Sequence, residues 1–275
     1  MDIQRWLISG SLGLGITLAA CPAFADHTRC SALPSQGALK SALSMAVAAS
    51  NGGLDNNMWA TLVANDGTVC AVAFSGADYT GQWLASRAIS AQKANTANGL
   101  SLGNGARPNG TGLALSTANL YSAVQPGGSL YGLQHSNPVD TGVAYFGNVM
   151  LFGTAQDPMV GNRIGGVNVF GGGLALYAAS GKKIGGVGVS GDTSCTDHFV
   201  AWRVRSTLGL DHFAGIGGVS GDSTHPDNIV YDITPTAEGG LLDPVGTLSK
   251  SAGGFGHPMC SPATPDASTL PKVQP

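Results

Sequence analysis

Apolar positions recur along the chain with two different periods, and the switches between them outline its elements. Leu39, Leu43, Ala46 and Val47 follow Pro34-Ser35 at helical spacing, which predicts a first helix within 35–50. Two runs rich in small and β-branched residues, 58–64 and 68–74, then flank Asn65-Asp66-Gly67. Asp-Gly between such runs predicts a hairpin. From Gly81 to about Asn98 the spacing is helical again, with Leu84, Ala88 and Ala91 on a narrow small-residue face and Ile89, Lys93 and Thr96 along another. Val167–Phe170, Leu174–Ala178 and Ile184–Val189 read as three short strands, and Asn228–Ile233 as an edge strand. Between these parts, residues 99–166 are broken by Asn104–Gly110, Pro126-Gly127-Gly128, Asn137-Pro138 and Asp157-Pro158, around a short helix within 113–124. They read as an irregular insertion.

The stretch Lys183–Asp192 is a glycine-spaced strand that stops at Ser190-Gly191-Asp192-Thr193-Ser194 and turns into helical spacing. Asp192, Thr193 or Ser194 can cap that helix by accepting from its first free N–H groups. At 100° per residue, Cys195, Phe199 and Trp202 share one face, while Val200, Val204 and Leu208 lie nearly opposite. His198 and Arg205 sit on a shoulder of the first stripe. A helix with two apolar stripes needs two covers, so the second stripe predicts a neighbouring element or subunit, and with it a homo-oligomer.

Helix, hairpin, helix, insertion, strands and helix make an α+β layer arrangement with about five strands, mostly antiparallel, in a single domain over 26–260. The chain has 275 residues, 43% apolar and 11% charged, with a formal net charge of −3, so it carries no basic footprint for nucleic acid. Its 42 glycines are about twice the usual share and imply many turns and close backbone approaches. Residues 1–25 read as a signal peptide: Arg5 precedes an apolar run from Trp6 to Ala20, and Ala23-Phe24-Ala25 is a small-x-small cleavage site. The protein is thus expected in the periplasm or secreted. Leu18-Ala19-Ala20-Cys21 also resembles a lipobox, and membrane attachment follows only if Cys21 carries a lipid. Residues 261–275, rich in Pro, Ser and Thr, are expected to be a disordered tail.

After export four cysteines remain, Cys30, Cys70, Cys195 and Cys260, with three possible connectivities. We pair Cys30 with Cys260, tying the ends of the domain, and Cys70 with Cys195, tying a strand to the last helix. Two enzyme motifs fail on context. Gly186–Gly191 satisfies G-x-G-x-x-G, but its glycines begin inside the strand and no second parallel strand follows the helix. Gly99–Gly103 satisfies G-x-S-x-G but follows a helix, where a nucleophile elbow must follow a strand. Glu238 is the single glutamate, so neither a paired acid/base nor an E-x-x-E iron motif stands out.

The segments 57–76, Ser86–Ala97 with its Lys93-Ala94-x-Thr96-Ala97, Gly171–Tyr177 and Ile184–Gly191 together resemble the haem-binding "haem-degrading domain" family of GlcG- and HbpS-like proteins. The resemblance covers Ser35 to Leu210. It implies a profilin-like α/β/α fold, homo-oligomers, and binding of haem or another small planar ligand or, in a related domain, corrinoid chemistry. Of the six histidines, His198 is then the first choice of iron ligand and His135 the second. Trp202 would be the apolar wall and Arg205 the propionate partner, with Lys93, Thr96 and Arg87 in the part that resembles the family's pocket. Two functions follow: an exported haem-binding protein for sequestration, sensing or transport, or an enzyme on a small organic substrate using Lys93, Arg87 and His198. No nucleophile–base pair is evident in the sequence.

Overall fold

The computed structural model describes residues 27–233 and 251–275. Residues 1–26, where the signal peptide and Cys21 are expected, and Glu238 lie outside the described residues. In chain order the elements are α1 (His27–Cys30), α2 (Gln36–Val47), β1 (Trp59–Ala64), β2 (Val69–Phe74), α3 (Ser86–Leu100), α4 (Leu120–Ala123), α5 (Thr141–Tyr145), β3 (Gly173–Tyr177), β4 (Lys183–Ser190) and α6 (Ser194–Thr207). The strands form one antiparallel sheet in the order β2-β1-β4-β3. Helix α3 covers one face of it, and α2 with α6 cover the other.

Side-chain alternation separates the two layers. Trp59, Val63, Val72 and Phe74 pack with Ala88, Ala91 and Ala94 of α3. Ala60, Leu62, Ala71, Val187 and Val189 join Leu39, Leu43, Phe199 and Val200 on the other side. On the α3 face, β4 presents Gly186, Gly188 and Ser190. A Cβ at Gly188 would lie 1.9 Å from the Ser90 carbonyl oxygen, and one at Gly186 would lie 2.4 Å from that of Ala94. The glycine spacing of this strand therefore lets the α3 backbone rest directly on the sheet at Ser90 and Ala94; Ala88 and Ala91 pack on the sheet beside that contact, whereas Leu84 is exposed ahead of the helix. Thr61 and Ser90 share a hydrogen bond of 2.8 Å within that contact.

The hairpin forms where Asp66-Gly67 predicts it, as a three-residue loop. Ala64 N–H donates to Thr68 O, Thr68 N–H donates to Asp66 Oδ1, and Gly67 takes the left-handed conformation at φ 84° that glycine tolerates. Thr193 is the residue that caps α6, accepting from Thr196 N. The expected α+β class with helices on both faces holds, with four strands rather than about five. Val167–Phe170 forms no strand, and Asn168 N–H donates to the Thr96 hydroxyl instead of to a neighbouring strand. Asn228–Ile233 contributes only an isolated bridge from Ile233 to Pro258.

Three further expectations change. The disulfides are Cys30–Cys70 and Cys195–Cys260, with Cα–Cα distances of 5.5 and 6.0 Å, and not Cys30–Cys260 and Cys70–Cys195. An ion pair between Arg29 and Asp66 sets α1 beside the β1–β2 turn, and this brings Cys30 to Cys70. The tail 261–275 is ordered rather than disordered: Leu270 and Val273 are buried in the core, and Trp202 Nε1 donates to Pro271 O at 2.8 Å. The second stripe of α6 is covered within the chain, since α2 packs on α6 and Val200 and Val204 are fully buried. That stripe no longer argues for a subunit contact.

Candidate functional site

The motif residues converge on a polar cluster between α3, the start of α6 and the C-terminal segment. Lys93, fully buried, donates to Val189 O at 3.1 Å and to Asp197 Oδ2 at 2.5 Å, with its ammonium 4.0 Å from the centre of the Phe170 ring. Asp197 Oδ1 accepts from the N–H groups of Gly191 and Asp192, so one carboxylate joins helix α3 to the turn before α6. The triple glycine 171–173 makes room for this. At Gly172, with φ 114°, a Cβ would lie 2.3 Å from Val189 O and 3.1 Å from Lys93 Nζ. Burial pushes the Lys93 ammonium down and the Asp197 carboxyl up to about 6, against their mutual attraction.

Beside this pair, Ser194 at the first position of α6 is half-buried, and its hydroxyl lies 2.7 Å from His257 Nε2. Gly171 N–H donates to the same hydroxyl at 2.7 Å. The His257 ring is buried, and Nδ1 stands 2.6 Å from Pro258 O. Tyr121 tilts over the ring at 4.8 Å between centroids. Burial, reinforced by the Lys93 charge, lowers the imidazole to about 4. The Cys195–Cys260 disulfide joins the residue after Ser194 to the segment that carries His257. Cys195, His257 and Cys260 present atoms within 4.8 Å of one another, but both sulfurs are spent in the disulfide.

The residues expected to hold haem are placed differently. His198 is fully buried; its Nε2 lies 3.1 Å from Asn228 Oδ1 and accepts from Ile229 N at 3.2 Å, while Nδ1 is buried without a partner. Trp202 is sealed under Pro271. Arg205 spends its guanidinium on Asp227, at 2.6 and 2.9 Å. Arg87 is likewise buried, paired with Asp157 and donating to Ala144 O at 2.8 Å, with its guanidinium 3.6 Å over Phe152. Thr96 hydrogen-bonds Gln92 O and Asn168 N. The unpartnered Nδ1 does not make this a haem site. The adjoining guanidinium is neutralised by Asp227, and the ring is closed off from solvent. His135 differs: it is exposed at the end of the turn Leu133–His135, and neither ring nitrogen has a partner among the described residues.

Asp157, Asp227 and His257 are the functional partners that sequence reading missed. Each meets its residue across 22 to 70 positions of chain, and no local pattern marks such pairs.

His198 and His257 both titrate at about 4 in the folded chain, below the ordinary histidine value of 6.5. The unfolded chain therefore binds more protons between these limits, and stability is full above pH 6.5 and falls as pH drops toward 4. Asp197, raised to about 6 from 3.8, works in the opposite sense and offsets part of the loss. Urea unfolding should show a net decrease of about 3 kcal/mol from pH 7.5 to pH 5. Equal stabilities at the two pH values would mean that the two imidazoles are not held neutral by burial.

A family model described as haem degrading protein HbpS-like matches residues 38–205, and the chain belongs to that family. The match takes in the whole sheet with α3 and most of α2 and α6, whereas Asp227, Asn228 and His257 lie beyond it. No curated protein matches the chain. Among solved structures, a PduOC:heme complex is 22% identical, over 63% of this chain and 91% of its own, with a TM-score of 0.42. The Klebsiella pneumoniae protein ORFY is 24% identical, over 64% of this chain and 90% of its own, with a TM-score of 0.40.

Proposed function

We propose that this is an exported haem-binding protein that takes the ring at its surface, with His135 as the iron ligand. The observation that carries this reading is that His135, among the described histidine side chains, is the one with both ring nitrogens unspent and the ring exposed. Haem is a broad apolar disc that needs apolar cover beside its ligand. The same insertion exposes Tyr131, Tyr145 and Phe146 at 70, 70 and 67%. Two disulfides, and the absence of any helix long and apolar enough to cross a membrane among the described residues, support export. These exposed aromatics, and no longer the α6 stripe, are the surface on which we place self-association. Sequestration, sensing and transport all require only reversible binding of this kind.

Hemin titrated into the mature chain is expected to give a shifted Soret band. His135→Ala should weaken binding at least about tenfold, equivalent to 1.4 kcal/mol, and change the ligand-field bands. His198→Ala should leave the spectrum as it is. If His135→Ala binds hemin like the parent, the ligand lies elsewhere, and if no Soret shift occurs in the parent, haem is the wrong ligand. The rival reading, an enzyme using Lys93, Arg87 and His198, gains nothing from the geometry, because all three are buried and already paired.

A further inference from the structure

We propose that Ser194 and His257 form a nucleophile–base pair for acyl transfer from small apolar carboxylic esters to water. The tautomer follows from the neighbours. Pro258 O can only accept, so the nitrogen 2.6 Å from it, Nδ1, carries the ring proton. Nε2 is then a lone pair, and the Ser194 hydroxyl 2.7 Å away donates to it. That is the arrangement in which an imidazole removes a proton from an attacking hydroxyl, with a backbone carbonyl in the orienting role that a carboxylate often fills. At neutral pH the imidazole is uncharged and available as the acceptor.

The surroundings fit that chemistry. Ser194 opens α6 directly after the β4 turn and is half-buried, whereas the base behind it is buried. Tyr121, partly exposed, tilts over the His257 ring and offers aromatic surface for an apolar acyl or alcohol group. Ser194 N–H has no acceptor among the described residues, and Cys195 N–H meets only the Cys260 sulfur at 3.1 Å. The Ser194 donor at the helix start can face the oxygen on which charge develops. The Cys195–Cys260 disulfide fixes the relative position of nucleophile and base.

The step balances without a co-reactant other than water. Ser194 Oγ bonds to the ester carbonyl carbon as its proton passes to Nε2, and the carbon–oxygen bond to the alcohol breaks with that proton delivered to the leaving oxygen. Water then attacks the acyl-serine, gives its proton through the same nitrogen, and releases the acid and the free hydroxyl. Ser194 lies inside residues 38–205 and His257 outside them, so the pair is completed only by this chain's C-terminal segment.

The test uses the mature full-length chain, a fluorophosphonate probe and p-nitrophenyl acetate. A stable adduct is expected on the peptide that carries Ser194, absent after heat denaturation and absent in Ser194→Ala. His257→Gln should slow labelling and ester turnover at least about 100-fold, the size of a general-base contribution. The turnover of the parent should lose its activity on the acid side near pH 4. Hemin titration should be unchanged in both variants, which separates this proposal from the haem reading. No adduct on Ser194 in the native chain would overturn it, as would equal labelling of a folded His257→Gln variant. If either variant fails to fold, the site-mapped adduct of the native chain against its denatured control still decides.

Discussion

Lys93→Met is expected to lower the unfolding free energy by about 3–5 kcal/mol, the usual cost of removing one partner from a buried ion pair. Lys93 and Asp197 are both fully buried, and with the ammonium gone the carboxylate keeps only its two backbone donors, Gly191 N and Asp192 N. Burial, which already lifts Asp197 to about 6, would then protonate it at neutral pH or expel it toward water. Neutralising the second group as well, in Lys93→Met with Asp197→Asn, should recover a large part of the loss, because no charge is left uncompensated. Urea unfolding of the parent, the single and the double variant measures this. A single variant within 1 kcal/mol of the parent would mean that the pair is not the junction between α3 and the start of α6.

Gly188→Val should be at least as damaging, with about 3 kcal/mol or more lost and much of the chain insoluble. The first carbon of the new side chain meets Ser90 O at 1.9 Å and Ala94 N at 2.5 Å. Both are backbone atoms inside a helix, so nothing can rotate away, and α3 as a whole would have to lift from the sheet. Lifting would expose Ala91 and Ala94 and break the Thr61–Ser90 hydrogen bond. Gly99→Ala is the control. Nothing lies within 4 Å of that added carbon, the position is near the end of α3, and relief of unfolded-state entropy should stabilise by about 0.5 kcal/mol. Thermal melts followed by circular dichroism compare the two. A Gly188→Val chain that melts with the parent would show that α3 does not rest on β4.

Much of the fold is local and therefore legible. The hairpin follows from Asp66-Gly67 between two strand-like runs, and α6 from a Thr193 cap ahead of helical spacing. That the glycines of β4 receive the backbone of α3 was decided by the packing. What misled was the end of the chain: residues 261–275 have the composition of a solvated tail, yet Trp202 and the core of α6 need a cover, and Leu270 and Val273 supply it. The cysteine pairing failed for the same reason, since spacing cannot tell which distant segments meet.

The candidate site divides along the same line. Its residues on helices and turns, Lys93, Thr96, Ser194 and His198, stand out in the sequence because local periodicity assigns each to an element and a face. Their chemistry was decided only by tertiary contacts. His198 and Arg205 share a helix shoulder, but Asn228 and Asp227 turn one into a neutral core group and the other into half of a buried ion pair. Ser194 has no base within its own helix, and His257 arrives 63 positions later in the chain to provide one. Secondary structure depends on neighbours a few residues away, which the order of residues displays. Protonation and reactivity depend on the solvent and charges around a side chain, and those are set by which remote segments the packed core brings against it.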